Sequence, residues 1–320
     1  MPRFDVTLAG EVNLDIILYG LPEKLLPERE VLAESLTRTL GGSSAIVAHN
    51  LAALGNRVGF QSLIGDDPLG RIALDRLKEG GVDTTLVRSA SAKMQTGLSV
   101  ILQHETWRSI LTYSGTIANL RWDDLDFNYL TDSRHFHFSS FYLQTALQPR
   151  VAELFKKLKA AGLTISLDTN DDPDDRFAGG IETVLSLVDV FMPNAHELKK
   201  IAGTDDVEAA IAKLATIVPL VVVKLGADGA IAQQAAKRFV SPPVRLEVVD
   251  PVGAGDSFNA GFLTQYVRGK DIPTCLAQGN LAGALSTTRP GGTEAFRDQT
   301  HREDFFRRHG GREGFVTAVE

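Results

Sequence analysis

The stretch Asp250-Pro251-Val252-Gly253-Ala254-Gly255-Asp256-Ser257-Phe258 sets two acids and two glycines ahead of an amphipathic run. Small side chains at Gly253, Ala254 and Gly255 let backbone N–H groups approach an anion closely, and a helix N-terminus adds positive partial charge. A carboxylate at Asp256 would repel that anion unless a hydroxyl lies between the two. Asp256 would then orient the hydroxyl and take its proton, while the amides hold the charge developing on a transferred phosphoryl group. The competing reading is structural, with Asp256 serving only as a helix cap. A dinucleotide fingerprint fails, because Phe258 stands where G-x-G-x-x-G requires glycine, and no G-x-x-x-x-G-K-[ST] occurs.

The elements that must position this turn follow from periodicity. Phe258, Phe262 and Tyr266 recur at i, i+4 and i+8, the pattern of a buried helix face, with Gly269 ending the run. Ahead of it, residues 244–250 (VRLEVVD) alternate like a strand, which makes the motif a strand-to-helix turn of the kind that lines ligand crevices in open α/β sheets. Elsewhere short β-branched runs (FDVTLAG, RVGFQSLIG, LTISLD, VDVFMPN, PLVVVKLG) alternate with helical patterns (SSAIVAHNLAALG, PLGRIALDRLKEGG, PRVAELFKKLKAAG, DDVEAAIAKLATIV). Gly55, Gly80 and Gly162 stand where left-handed helix ends are expected. The pattern predicts one α/β domain over 1–320, with a mostly parallel central sheet and helices on both faces. Residues 14–40 and 93–115 look extended without intervening helices. They are expected to pair into a small sheet acting as a lid, or else to form edge strands of the one sheet.

Composition narrows the function. The chain has 320 residues, 43% hydrophobic content, a net charge of −7 and a single cysteine, Cys275. No basic block suggests nucleic acid, no apolar run suits a membrane span, and a lone cysteine suits a reducing cytoplasm. His135, His137 and Ser139 share a strand face, where buried hydrogen-bonded histidines compete with a metal pair that has no third ligand. Trp107, Tyr113 and Phe141 either stack on a substrate ring or fill the core. The carboxylate-rich run Asp168, Asn170, Asp171, Asp172 would repel a phosphorylated substrate, which predicts an uncharged or cationic acceptor. The same run fails as an EF-hand, since Pro173 occupies the glycine position.

Several stretches together resemble the ribokinase-like (PfkB) carbohydrate kinase family over nearly the whole length. They are DPVGAGDSFNAGFL, GEVNLDII, GGSSAIVAHNLAALG, LIGDDPLGRIALDRLKEGGV, MPNAHE, VVVKLGADGA and GNLAGALSTTRPGG. The resemblance implies an ATP-dependent kinase with Asp256 as base and Gly253, Ala254 and Gly255 as anion hole. It implies acceptor contacts from Asn13, Asp15, Gly41, Gly42, Ser43, Asp168 and Asn170. It places Lys224, Gly226, Gly229 and Asn280 on nucleotide-side loops, and Asn194 with Glu197 as an element organising Mg2+ through water. On their own residues, Asp15 is either a sugar-hydroxyl acceptor or a strand-end polar group, Asn194 either a metal-side group or a helix cap, and LGADGA either a nucleotide loop or a plain hairpin.

Two further positions depart from the family pattern. Ile46 stands where the family usually has Asn, and Asn50 lies one helical turn on, roughly 40° around and ~6 Å along, where it could recover the contact. Met192 replaces the usual Asn before Pro193. The expected activity is transfer of the ATP γ-phosphoryl group to a hydroxyl of a sugar or related polyol. A nucleoside kinase of the same fold is the alternative, and a non-catalytic sugar or nucleotide sensor is the rival of another class. Potassium near Asp250, Val252 and Ser286 is a further expectation from relatives. Partners are a small-molecule acceptor rather than nucleic acid or membrane, with a homodimer through the lid.

Overall fold

The structure is a computed structural model that describes the chain except residues 92, 105–106, 311–316 and 320. The strands are β1 (Phe4–Ala9), β2 (Asn13–Leu21), β3 (Ser35–Gly41), β4 (Val58–Ile64), β5 (Asp83–Ser89), β6 (Gly97–His104) and β7 (Arg108–Tyr113). They continue as β8 (Ser133–Ser139), β9 (Thr164–Asp168), β10 (Val190–Phe191), β11 (Leu220–Lys224), β12 (Ala230–Gln234), β13 (Lys237–Ser241) and β14 (Thr317–Val319). Ten of them form one sheet in the order β14-β13-β12-β11-β10-β9-β8-β1-β4-β5. Its core from β11 through β5 is parallel, and β12, β13 and β14 are antiparallel additions.

Side-chain alternation explains why this sheet is covered twice. Val221 and Val223 of β11 join one apolar cluster, with Phe155, Leu158 and Ile211 from helices Val151–Ala160 and Val207–Leu214. Leu220 and Val222 join another, with Leu51, Leu77 and Phe262 from helices Ser43–Ala53, Pro68–Glu79 and Ala254–Tyr266. Period-two strands thus feed two cores, and helices on each face close them. Phe258, Phe262 and Tyr266 stack along their helix at 6.3 and 6.1 Å between ring centroids.

The two extended insertions pair with each other. β3, β2, β6 and β7 form a separate four-stranded sheet in that order. Its registers align Asp15 with Thr39 and Ser99, and Ser99 with Thr112. Glu105 and Thr106, in the expected turn of the second insertion, lie outside the described residues, as does much of the tail beyond the helix Gln299–His309.

Three local expectations change. Gly55 and Gly162 are left-handed at φ 86° and 91°, but Gly80 is right-handed at −71° and its neighbour Gly81 takes φ 87°. Residues 244–250 form no strand: Val244 and Leu246 pack on a third apolar cluster while Val248 and Val249 are exposed, and the backbone bonds only at its end, from Val249 N and Asp250 N to Thr287 O. Asn280 lies inside the helix Ile272–Ser286 rather than on a loop.

His135 and His137 form a buried polar row in β8 and β9. The order is Thr164 Oγ1, His135, Ser166 Oγ, His137, Ser139 Oγ, with separations of 2.7, 2.7, 2.7 and 2.9 Å. Burial is the main effect pushing both imidazoles down to about 3, so they are neutral. All four ring nitrogens are committed to hydroxyls, which removes the metal reading. Trp107 stacks on His104 at 3.8 Å, Phe141 is fully buried against Tyr142, and Tyr113 is exposed; none lines a cavity described below.

Candidate active site

The parallel strands β11, β10, β9, β8 and β1 lie side by side and end at one edge of the large sheet. Lys224 and Asp168 close β11 and β9, and Asn194, Ser140 and Glu11 follow β10, β8 and β1 within a few residues. All five line one cavity of about 490 Å³, together with Gly42, Ser43, Asn170, Gly253, Ala254, Gly255 and Asp256. The small sheet supplies the opposite wall through Asn13, Asp15, Ser99, Arg108, Ile110 and Thr112. A second cavity of about 530 Å³ adjoins it, lined by Lys224, Gly226, Gly229, Asn280 and Ala254–Gly255 among others.

Asp256 occupies the first turn of helix Ala254–Tyr266, whose N-cap Gly253 is left-handed at φ 72°. A Cβ on Gly253 would come within 2.4 Å of Gly292 Cα, so the position is built for glycine. Ala254 N donates to Pro251 O at 3.2 Å, which ties one of the three expected anion-hole amides into the turn. The first-turn amides of Gly255 and Asp256 have no acceptor within the helix and lie at the positive end of its dipole. Burial is the main cause lifting the Asp256 carboxyl to about 7, with Asp168 adding repulsion and Ser43 and Lys224 opposing it. A carboxyl in that range exchanges a proton near neutrality.

Asp168 is fully buried and accepts hydrogen bonds from Lys224 Nζ and Asn259 Nδ2. Burial pulls the Lys224 ammonium down, but Asp168, Glu197 and Asp256 more than offset it, so Lys224 stays charged where the two cavities meet. Asp172 turns back to accept from Asp174 N, Arg176 N and Phe177 N at 3.1, 3.0 and 2.7 Å. Of the acidic run, only Asp171 remains as an unpaired lining carboxylate, which undercuts the argument for an uncharged or cationic acceptor.

Asp15 accepts from Asn13 Nδ2 at 2.9 Å, and Asn13 also reaches Ser99 Oγ at 3.3 Å. Burial pushes the Asp15 carboxyl up to about 7, and Asn13 counters that shift. Gly41 makes room for this pair, since a Cβ there would fall 2.1 Å from Asp15 Oδ1. Asn170 Nδ2 reaches Ser43 Oγ and, at 3.0 Å, Ser140 Oγ.

Asn194 is the N-cap of helix Ala195–Ala202, in a reciprocal box with Glu197. Glu197 N donates to Asn194 Oδ1 at 2.9 Å, and Asn194 N donates to Glu197 Oε2 at 2.9 Å. Both side chains cap the helix and still line the cavity. Burial is the main cause raising the Glu197 carboxyl, with Asp168 adding to it. Among the described residues no group of three or more His, Cys, Asp or Glu side chains closes around a metal. A carboxylate and an amide at the wall suit a hard cation that keeps its waters rather than one held by protein alone.

Asn50 departs from expectation. Its amide donates to Ser257 Oγ and Gly292 O, both at 3.0 Å, its carbonyl meets His49 Nδ1, and it lines neither cavity. Asn280 spends its amide on Ser241 and Pro242, pinning the rim of the second cavity. Glu11 was missed from sequence: it is buried and accepts from Ser44 Oγ and Ser140 Oγ at 2.6 Å each. The signal available was that Glu11 and Ser140 follow neighbouring parallel strands at their carboxyl ends.

Comparison with known proteins fits this geometry. Residues 4–299 match the pfkB family carbohydrate kinase model. An uncharacterised sugar kinase of Archaeoglobus fulgidus is 30% identical over 249 residues, covering 76% of this chain and 96% of that protein. An ATP-dependent ribose-1-phosphate kinase of Halopiger xanaduensis is 30% identical over 292 residues, covering 91% and 94%. An Escherichia coli protein named as a ribokinase II, solved with ATP and Mg2+, is 27% identical with a TM-score of 0.83, covering 96% of this chain and all of that one. No helix among the described residues is long and apolar enough to cross a membrane. The chain, with its mostly parallel sheet and the smaller sheet facing the carboxyl edge, belongs to the pfkB family of carbohydrate kinases.

Proposed function

We propose that the chain transfers the γ-phosphoryl group of ATP to a hydroxyl of a sugar or related polyol in the cavity between the two sheets. The observation that carries this reading is the meeting of Asp256, the open first-turn amides beside it and the Asp15–Asn13 pair around one space. Asp256 takes the acceptor proton as its oxygen attacks phosphorus, the bond to ADP breaks, and the amides of Gly255 and Asp256 hold the equatorial charge. Asp15, Asn13, Ser43 and Asn170 orient the acceptor hydroxyls. ATP lies along the second cavity beside Gly226, Gly229 and Asn280, with its phosphates reaching Lys224. Glu197 and Asn194 hold Mg2+ through water, and the metal neutralises phosphate charge when bound.

The small sheet acts as a lid that excludes water. Its outer face presents Leu36, Leu111 and Tyr113 to solvent, which supports a homodimer through that face. Ser286 Oγ is buried with no hydrogen-bond partner among the described residues, and the next residue, Thr287, accepts from the Asp250 backbone N–H at 3.2 Å, which supports a monovalent cation there. The chain is read as cytoplasmic. A nucleoside acceptor is the second reading, favoured by the aliphatic wall of Ile46, Ile101, Ile110, Ile117, Leu143 and Val252.

ADP release across a panel of sugars, polyols and nucleosides, in potassium and in sodium, tests the assignment. Release with one acceptor class is expected. Silence over the panel with an acceptor still bound would make the protein a sensor, and equal rates in the two salts would dispose of the potassium site.

A further inference from the structure

Helix Ser43–Ala53 begins without a cap of its own, since its N-cap is Gly42, which has no side chain. The amides of a first turn need an acceptor from elsewhere. Glu11 supplies one from the loop after β1, accepting from Ser44 N at 3.1 Å and from Ser44 Oγ at 2.6 Å. Two glycines make room for it. A Cβ on Gly10 would fall 2.2 Å from Ser44 Oγ, and one on Gly42 would fall 3.1 Å from Glu11 O.

The same carboxylate fixes a second branch. Ser140 Oγ donates its one proton to Glu11 Oε1 at 2.6 Å, so it can only accept from Asn170 Nδ2, 3.0 Å away. The other hydrogen of that amide goes to Ser43 Oγ. Ser43 keeps its own proton for Asp256, to which its side chain is hydrogen-bonded. The bonds close a ring through Glu11, Ser140, Asn170, Ser43 and Ser44, with one exit at Asp256. Ser140 and Asn170 hold left-handed backbones at φ 56° and 53°, a conformation that persists where the surroundings fix it. With both amide hydrogens spent, Asn170 has only its carbonyl oxygen to offer the cavity it lines.

We propose that Glu11 is a positioning residue for phosphoryl transfer, the buried carboxylate that sets the direction of each hydrogen bond from Ser140 through Asn170 to Ser43 and Asp256. This rests on the kinase reading above. Both oxygens of Glu11 are spent within the protein, so it acts through its neighbours and not on the reacting atoms. The arrangement needs two accepting oxygens at position 11. An amide there keeps the shape but makes one of them a donor, which meets the proton of Ser44 or Ser140 head on.

The test is a double-mutant cycle on the full chain, with Glu11→Gln, Ser140→Ala and the two combined. Ribose, fructose, gluconate and adenosine serve as acceptors, followed by ADP release and by calorimetric binding in the presence of ADP. Each single substitution should lower kcat/KM for the acceptor by about tenfold or more and leave KM for ATP within about twofold. The combined variant should be no more than about twofold worse than the worse single one, because both break the same ring. Glu11→Asp, which keeps two accepting oxygens on a shorter stem, should restore part of the loss. Losses that multiply to about a hundredfold would make the two residues independent and overturn the proposal. So would wild-type kcat/KM in Glu11→Gln, or a KM for ATP that rises in step with the loss, the mark of a residue that only holds the fold. If Glu11→Gln does not fold, Ser140→Ala decides alone, since it cuts the branch to Asn170 and leaves the helix cap intact. If the wild type releases no ADP with any acceptor, the kinase reading fails and the ring is judged on binding. Acceptor binding weakened by both substitutions without multiplication then sustains it, while equal binding, or none, sinks it.

Discussion

Replacing Asp256 with Asn should make the protein more stable and far less active at once. The Asp256 carboxyl titrates at about 7 against an ordinary 3.8, chiefly because it is buried and secondarily because Asp168 repels it. A gap of about three, at ~1.4 kcal/mol each, corresponds to ~4 kcal/mol as an upper limit. Asp256 faces a cavity that admits water, and its first-turn position favours a charge, so ~1–2 kcal/mol is the expected net effect. The sign follows from linkage. Below pH 4 both folded and unfolded states hold the proton and the group contributes nothing adverse. As pH rises toward 7, only the unfolded chain ionises freely, so stability drains away, and above 7 the loss is complete. Asp256→Asn escapes that loss. Its stability advantage over wild type, read from urea denaturation, should be near zero at pH 4 and reach its full value by pH 8. Turnover should fall by ~10² or more, with KM for ATP little changed. Wild-type turnover should itself climb as pH passes 7, because the deprotonated carboxylate is the active form. A variant that is less stable than wild type at pH 8, or one that retains comparable turnover, would refute the account of this carboxyl.

Gly253→Ala combines a left-handed backbone with a Cβ 2.4 Å from Gly292 Cα, so it should cost ~1–3 kcal/mol in denaturation and lower ADP formation. Gly255→Ala is its contrast: outside its own helix the new Cβ would come no nearer than 3.5 Å to any atom, Lys224 Nζ, an ordinary contact, so stability should hold while KM for ATP rises. Equal stability of the two variants would contradict the assigned backbone geometry. Leu111→Glu, on the outer face of the small sheet where Leu111 is 59% exposed, should convert a dimer to a monomer in light scattering without unfolding the chain. A wild type that is already monomeric would end the dimer proposal.

The alternating architecture was legible because short apolar runs and 3.6-period stretches take turns along the chain, and the site inherits its place from that alternation. The place of Asp256 was readable for the same reason, as it sits in the first turn of a helix, whereas Asp15 lies inside β2 between Thr39 and Ser99 rather than at a strand end. Asn194 shows why sequence left two readings open: its side chain closes a capping box and also lines the cavity, so neither reading excludes the other. Asn50 was not decidable, because its partners Ser257 and Gly292 lie more than 200 residues away and only tertiary packing brings them close. Residues 244–250 misled because alternating burial on an apolar cluster imitates a strand although no strand ladder forms. Asp172 misled differently: sequence counts charges, but a carboxylate bent back onto its own turn is not presented to a ligand.

The hydroxyl–imidazole row between β8 and β9 has one more implication. Ser166 carries a single proton and sits between Nε2 of His135 and Nδ1 of His137. When Ser166 donates that proton to one ring and accepts from the other, the two rings adopt the same tautomer, and reversing one reverses the other. The row also reads alignment in a way that greasy side chains cannot. Sliding β9 along β8 by two residues would keep every apolar group facing its proper side, yet would take the imidazoles away from hydroxyls they now share. The floor on which Asp168 stands is thereby set to a single offset.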